Sequence, residues 1–99
     1  MIRKEPRMLY PFLTLNDGTE IVHSELMHKD DRDQVKVVIE KPVDGGFNSA
    51  VCWLPDYKWE GICGFSTEEL NSLKELLSSV SHVIIELAGD GGFEHATNF

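Results

Sequence analysis

The 99-residue chain is short of positive charge. It holds nine Lys and Arg against 17 Asp and Glu, for a formal net charge of -8 and a sequence pI of about 4.8. Nucleic acid and anionic membrane surfaces are drawn to a basic face, so neither is an expected partner. Long apolar runs are missing as well. Val83-Ile84-Ile85 is interrupted by Glu86, far short of the roughly 20 residues of a membrane span. Behind the charged start, Met1 to Arg7, no apolar run follows, so no secretory signal is read there. Cysteine is scarce: Cys52 and Cys63 only, with no CxxC. Two reduced thiols in a cytoplasm are the expectation, not a disulfide framework.

What is present is an ordinary globular composition, 41 % hydrophobic and 26 % charged. The length suits one small domain, residues 1–99, with one core and no room for a second. Residues 1–10 read as a lead-in and 93–99 as a tail, both less ordered. Three of the nine basic residues lie in the first seven positions, so the body from Met8 onward is more acidic than the total suggests.

Hydropathy alternation predicts four strands. Pro11 to Leu15 is short and β-prone, and Asn16-Asp17-Gly18-Thr19 turns it back into a strand from Glu20 to about His28. Asp-Gly between two such runs is a strong hairpin signal, because Gly adopts positive φ without a steric cost. After the charged turn Lys29 to Gln34, Val35 to Glu40 alternates cleanly, and Pro42 is expected to close it. Asp44-Gly45-Gly46 turns the chain into the fourth strand, Phe47 to Leu54, ended by Pro55. Residues 55–65 read as irregular.

The strongest local signal follows. Ser66-Thr67-Glu68-Glu69 is a capping box with Ser66 at the N-cap, flanked by Phe65 and Leu70 as a hydrophobic staple. The helix predicted over residues 67–88 places Leu70, Leu73, Leu77, Val80, Ile84 and Leu87 on one broad face. Ser78-Ser79-Val80-Ser81 is poor helix sequence, so a bend or break is expected there. Gly89, Gly91 and Gly92 are read as its stop. The fold class is α+β: an antiparallel four-stranded ββββ meander followed by one long C-terminal amphipathic helix packed on one sheet face.

Chemistry-bearing patterns are weak. Asp30, Asp31 and Asp33 do not fit a calcium loop: counting from Asp31, Lys36 stands where Gly is needed. His23, His28, His82 and His95 show no metal-ligand spacing. Cys52 reads as a small core residue, and Cys63, in a Gly-flanked loop, as the more exposed thiol. The Gly89-Asp90-Gly91-Gly92 run follows a helix, whereas phosphate-cradling glycines precede one. No metal, cofactor or catalytic residue is expected. Trp53, Tyr57 and Trp59 remain, as a satellite core under the loop or as a partner-binding patch.

The stretch Phe47 to Trp59, with its Leu54-Pro55-Asp56-Tyr57-Lys58-Trp59 loop, followed by Gly64-Phe65-Ser66, resembles part of a group of short bacterial proteins with no assigned activity. These combine an Asp-Gly-Thr-Glu hairpin, matched by Asp17 to Glu20, with a C-terminal helix ending in Gly-Gly, matched by Gly91-Gly92. The resemblance covers most of the chain beyond Leu13 and implies a bacterial cytoplasmic origin. The sequence thus reads as a small acidic non-enzyme, a non-catalytic protein-interaction or self-associating module whose partner is a protein or a second copy. The alternative is a small enzyme or ligand-binding protein using the aromatic loop near Cys63. A nucleic-acid mimic fits less well, because the acids are scattered rather than set in a phosphate-like row.

Overall fold

The computed structural model describes residues 8–90. Its elements, in chain order, are β1 (Leu9–Thr14), β2 (Glu20–Ser24), β3 (Met27–Lys29), β4 (Arg32–Val43), β5 (Gly46–Leu54), β6 (Lys58–Cys63) and α1 (Thr67–Asp90). The sheet is antiparallel throughout, in the order β1-β2-β4-β5-β6, with β3 pairing β4 beside β2. The class is therefore α+β, but the count of four strands is corrected to six.

One extra strand comes from a break. The return strand expected from Glu20 to His28 is interrupted between β2 and β3. His23 pairs Val37 and Met27 pairs Gln34, so three residues on one side face two on the other. Such an extra residue leaves ladder groups without their usual partners. Local groups replace them. The Ser24 hydroxyl accepts from the Lys36 amide at 2.9 Å and donates to the Glu25 carbonyl at 2.7 Å. The Leu26 amide donates to the Ala88 carbonyl at 3.2 Å, so the break also satisfies a carbonyl at the helix C-terminus.

The other extra strand is β6, inside the stretch expected to be irregular. Val51 pairs Glu60 while Ser49 pairs Cys63, so Gly61 and Ile62 share one position opposite Ala50. Gly61 has φ 58°. This is a bulge built on a left-handed glycine, which breaks the alternation that marks a strand. Pro42 also fails to end β4, which runs on to Val43 with Pro42 opposite Phe47. β2 begins opposite Glu40, so Pro42 has a β-neighbour on one side only and its missing N–H is tolerated there.

The turns follow their residues. Gly18 (φ 89°) and Gly45 (φ 84°) supply left-handed positions in the β1–β2 and β4–β5 hairpins. Asp30 and Asp31, at φ 54° and 62°, are the two loop residues between Lys29 and Arg32. Both being left-handed is the pattern of a type I′ turn, a conformation Asp tolerates.

The capping box forms as its sequence requires. The Glu69 amide donates to Ser66 Oγ at 3.1 Å, and the Ser66 amide donates to Glu69 Oε1 at 2.9 Å. The helix then runs unbroken through Ser78-Ser81. The Ser78 and Ser79 hydroxyls donate back to the Glu75 and Leu76 carbonyls at 2.8 and 2.7 Å, which accommodates them in place. Gly89 lies inside the helix rather than ending it; Gly91, Gly92 and the tail lie outside the described residues. Leu9 and Tyr10, expected in the lead-in, open β1.

One core joins helix and sheet. Leu73, Leu77, Ile84 and Ala88 share a buried cluster with Ile21, Val35, Val37, Ile39, Ala50, Cys52 and Leu54. The sheet residues recur at every second position, so they line one face. Full burial of each such aliphatic side chain is worth about 1.5–3 kcal/mol.

Candidate functional site

The sheet separates the aromatic trio. Cys52 pairs Trp59 and Trp53 pairs Lys58, so Trp59 shares the helix-side face with Cys52, and Trp53 points the other way. Trp59 and Tyr57 pack against the core cluster. The Tyr57 hydroxyl meets Ser81 Oγ at 3.0 Å, and the Lys74 ammonium lies 5.9 Å from its ring centre. Those two rings anchor the β5–β6 turn to α1. Trp53, only 6 % exposed, is not part of that packing.

The thiols also part company. Cys52 is buried in the core, and burial pushes its thiol up to about 11, which makes it a poor nucleophile. Cys63 is exposed and paired with Ser49. Because of the bulge it lies three ladder positions from Trp59, about 10 Å, and on the opposite side of the sheet. The aromatic loop and the exposed thiol therefore do not share a site. Among the described residues no three His, Cys, Asp or Glu side chains converge on a metal-sized point; His95 lies outside them. No described helix is long and apolar enough to cross a membrane.

A groove of about 390 Å³ lies where α1 begins, lined by Leu15, Phe65, Leu73 and Leu76 below and Asp17, Lys41 and Glu69 at the rim. Its charges answer one another. Lys41 Nζ is 3.6 Å from Asp17 and 3.5 Å from Glu69. The Thr19 hydroxyl first, then the Thr19 amide donating to Asp17 at 2.9 Å, and Lys41 beyond them lower the Asp17 carboxyl below the usual range. Glu69 is lowered likewise, first by the Ser66 amide. The rim ties the β1–β2 turn to the first turn of the helix, where Glu68 also lines the groove.

The face of the sheet away from α1 is different. Register places its residues in rows across the strands. One row is Glu20 and Glu40, directly opposite each other, with Ser49 and Cys63 beyond. The next is Pro11, Val22, Val38 and Val51, ending in Glu60. The third is Lys36, Trp53 and Lys58. The face is thus banded acidic, apolar, basic, with rows two residues or about 7 Å apart. Val22, Val38 and Val51 are half-buried, Glu20 and Glu40 exposed. Phe47, 64 % exposed opposite Pro42, extends the apolar surface past the acidic row.

The sequence already points to the sheet face away from the helix as the place for solvent or a partner, but not to its rows, because register determines which residues share a row. The alternation of β4 did carry one trace of it: Lys36, Val38 and Glu40 place a basic, an apolar and an acidic residue in succession on the side facing away from Val35, Val37 and Ile39.

Comparison with known proteins adds no relative: no family model, curated protein or solved structure matches the chain.

Proposed function

We propose that this protein is a non-catalytic interaction module that docks another polypeptide on the sheet face opposite α1. The observation that carries the reading is the row Val22, Val38 and Val51, apolar across three adjacent strands, bordered by charge of opposite sign on its two sides. A flat apolar patch rimmed by charged groups is the anatomy of a protein–protein contact. The two chemistries expected of an enzyme or ligand site do not meet in this fold. The aromatic rings of Tyr57 and Trp59 are spent on the core, and Lys41 at the rim of the groove is held between Asp17 and Glu69. The resemblance to short bacterial proteins supports a cytoplasmic setting, in which an exposed Cys63 thiol is at home.

Site-specific photo-crosslinking tests the reading. A benzoylphenylalanine introduced at Val38 or Val51 gives a discrete protein adduct in the cells that express the chain. The same group at Ser78, on the exposed side of α1, gives none. Equal crosslinking from all three positions refutes the docking face.

A further inference from the structure

We infer that Asp44 is a site of spontaneous main-chain modification, an aspartate that the fold leaves open to isomerise across its bond to Gly45, and that Asp17, in the same Asp-Gly context, is protected. The chain holds three Asp-Gly pairs, at 17–18, 44–45 and 90–91, and the third runs past the described residues. Glycine lacks the Cβ that would shield the peptide nitrogen after an aspartate, so that nitrogen can close on the side-chain carboxyl. The Gly45 amide gives its proton to water, and its nitrogen bonds to Cγ of the protonated Asp44 carboxyl. The Cγ–O bond breaks, and the hydroxyl leaves with a solvent proton as water. The product is a five-membered imide. Water then adds back. Opening at Cγ restores aspartate, whereas opening at the main-chain carbonyl leaves isoaspartate, with the chain routed through the former side chain. One water is lost and one regained, with no oxidant or reductant.

The fold separates the two sites. At Asp17 both reacting groups are engaged elsewhere. The Gly18 amide donates to the Leu15 carbonyl at 3.0 Å, and the carboxyl takes the Thr19 amide at 2.9 Å and lies 3.6 Å from Lys41 Nζ. Gly18 is also backed by Pro42, 3.2 Å from where a Cβ would stand. The same contacts lower the Asp17 carboxyl and so deplete the protonated form that cyclises. Asp44 and Gly45 are both exposed. Among the described residues no hydrogen bond holds the Asp44 carboxyl or the Gly45 amide, and a Cβ at Gly45 would meet nothing within 4 Å. β2 begins opposite Glu40, and β6 ends opposite Ser49. Residues 41–48 are therefore laddered only with one another, and their tip opens without disturbing another strand. Isoaspartate there adds a methylene to the two-residue turn between Val43 and Gly46, outside the core cluster.

The test ages the purified native chain for several weeks in warm neutral buffer. A protease that cuts at aspartate but not at isoaspartate then reports each site, with the peptides resolved by chromatography and mass spectrometry. Isoaspartate is expected to accumulate several-fold faster at residue 44 than at residue 17. The same incubation in urea, with the fold lost, is expected to bring the two rates together, because only the folded chain ties up Gly18 and the Asp17 carboxyl. Equal rates in the folded chain, or a faster rate at residue 17, overturn the inference. So does an Asp44 that stays intact in the folded chain while the urea sample converts it. A difference of the same size in urea assigns the effect to sequence neighbours rather than to the fold, and overturns it as well.

Discussion

His23 gives the fold an acid-side weakness that can be measured. His23 is 0 % exposed, its ring tilted against Tyr10 at 5.6 Å and edge-on to Phe12 at 6.4 Å. Nδ1 lies 2.8 Å from the Ser24 carbonyl. A carbonyl only accepts, so Nδ1 carries the proton. Nε2 is buried with no hydrogen-bond partner among the described residues. In the neutral ring this leaves an unused lone pair; in the imidazolium it leaves an unpaired N–H and a charge away from water. Burial therefore pushes the His23 pKa below its ordinary 6.5.

The sign follows directly. Above pH 6.5 the ring is neutral in both folded and unfolded chains and contributes no pH dependence. Below it the unfolded chain takes up a proton that the folded chain refuses, so stability falls with pH until the folded pKa is reached. From pH 7.5 to 5.5 the loss is up to about 1.4 kcal/mol, or roughly 5–10 °C in melting temperature for a domain of this size. The lowered carboxyls of Asp17 and Glu69 hold their stabilising interactions above the usual carboxylate range and lose them only as pH falls through their depressed values, so they act at lower pH. Urea unfolding across that window, for the native chain and for His23→Asn, provides the assay. Asn can still donate to the Ser24 carbonyl but does not titrate. The variant is less stable throughout, and its stability falls less than that of the native chain from pH 7.5 to 5.5. A slope that persists in His23→Asn would refute the account.

The sequence was legible wherever a local rule acted alone. The capping box, the apolar stripe of α1, and the Asp-Gly turns at Gly18 and Gly45 each depend on residues within a few positions, and each forms. Legibility failed where a strand obeys a neighbour. β6 is a strand because β5 pairs with it despite Gly61, and β4 passes Pro42 because nothing pairs on that side. The β2–β3 break exists because Ser24 and the Ala88 carbonyl complete its hydrogen bonds. The helix crosses four poor positions at Ser78-Ser81 because Leu77 and Ile84 are buried on either side; packing overrides propensity. The aromatic trio looked like one feature because its members are close in sequence, but alternation across β5 and β6 sends Trp53 to one face and Trp59 to the other.

Ser66→Ala removes the acceptor of the Glu69 amide and is expected to cost about 0.5–2 kcal/mol, with Thr67→Ala costing less; thermal unfolding of both checks the helix start. Gly64→Ala is expected to destabilise more than Gly61→Ala. Both glycines are left-handed, but a Cβ at Gly64 runs into the Asn48 side chain while one at Gly61 meets open space, and equal losses in urea unfolding would contradict that difference. The last prediction concerns Glu20 and Glu40, register partners on the solvent side of β2 and β4. Like charges directly opposite destabilise a sheet, and opposite charges there are worth roughly 0.2–1 kcal/mol. Glu40→Lys turns a repulsive pair into an attractive one within the chain, so the isolated fold gains stability. Urea unfolding of Glu40→Lys beside the native chain measures that gain, and Glu40→Gln, which removes the repulsion without adding an attraction, is expected to fall between the two. A loss of stability in both variants would refute the reading of Glu20 and Glu40 as a repulsive pair.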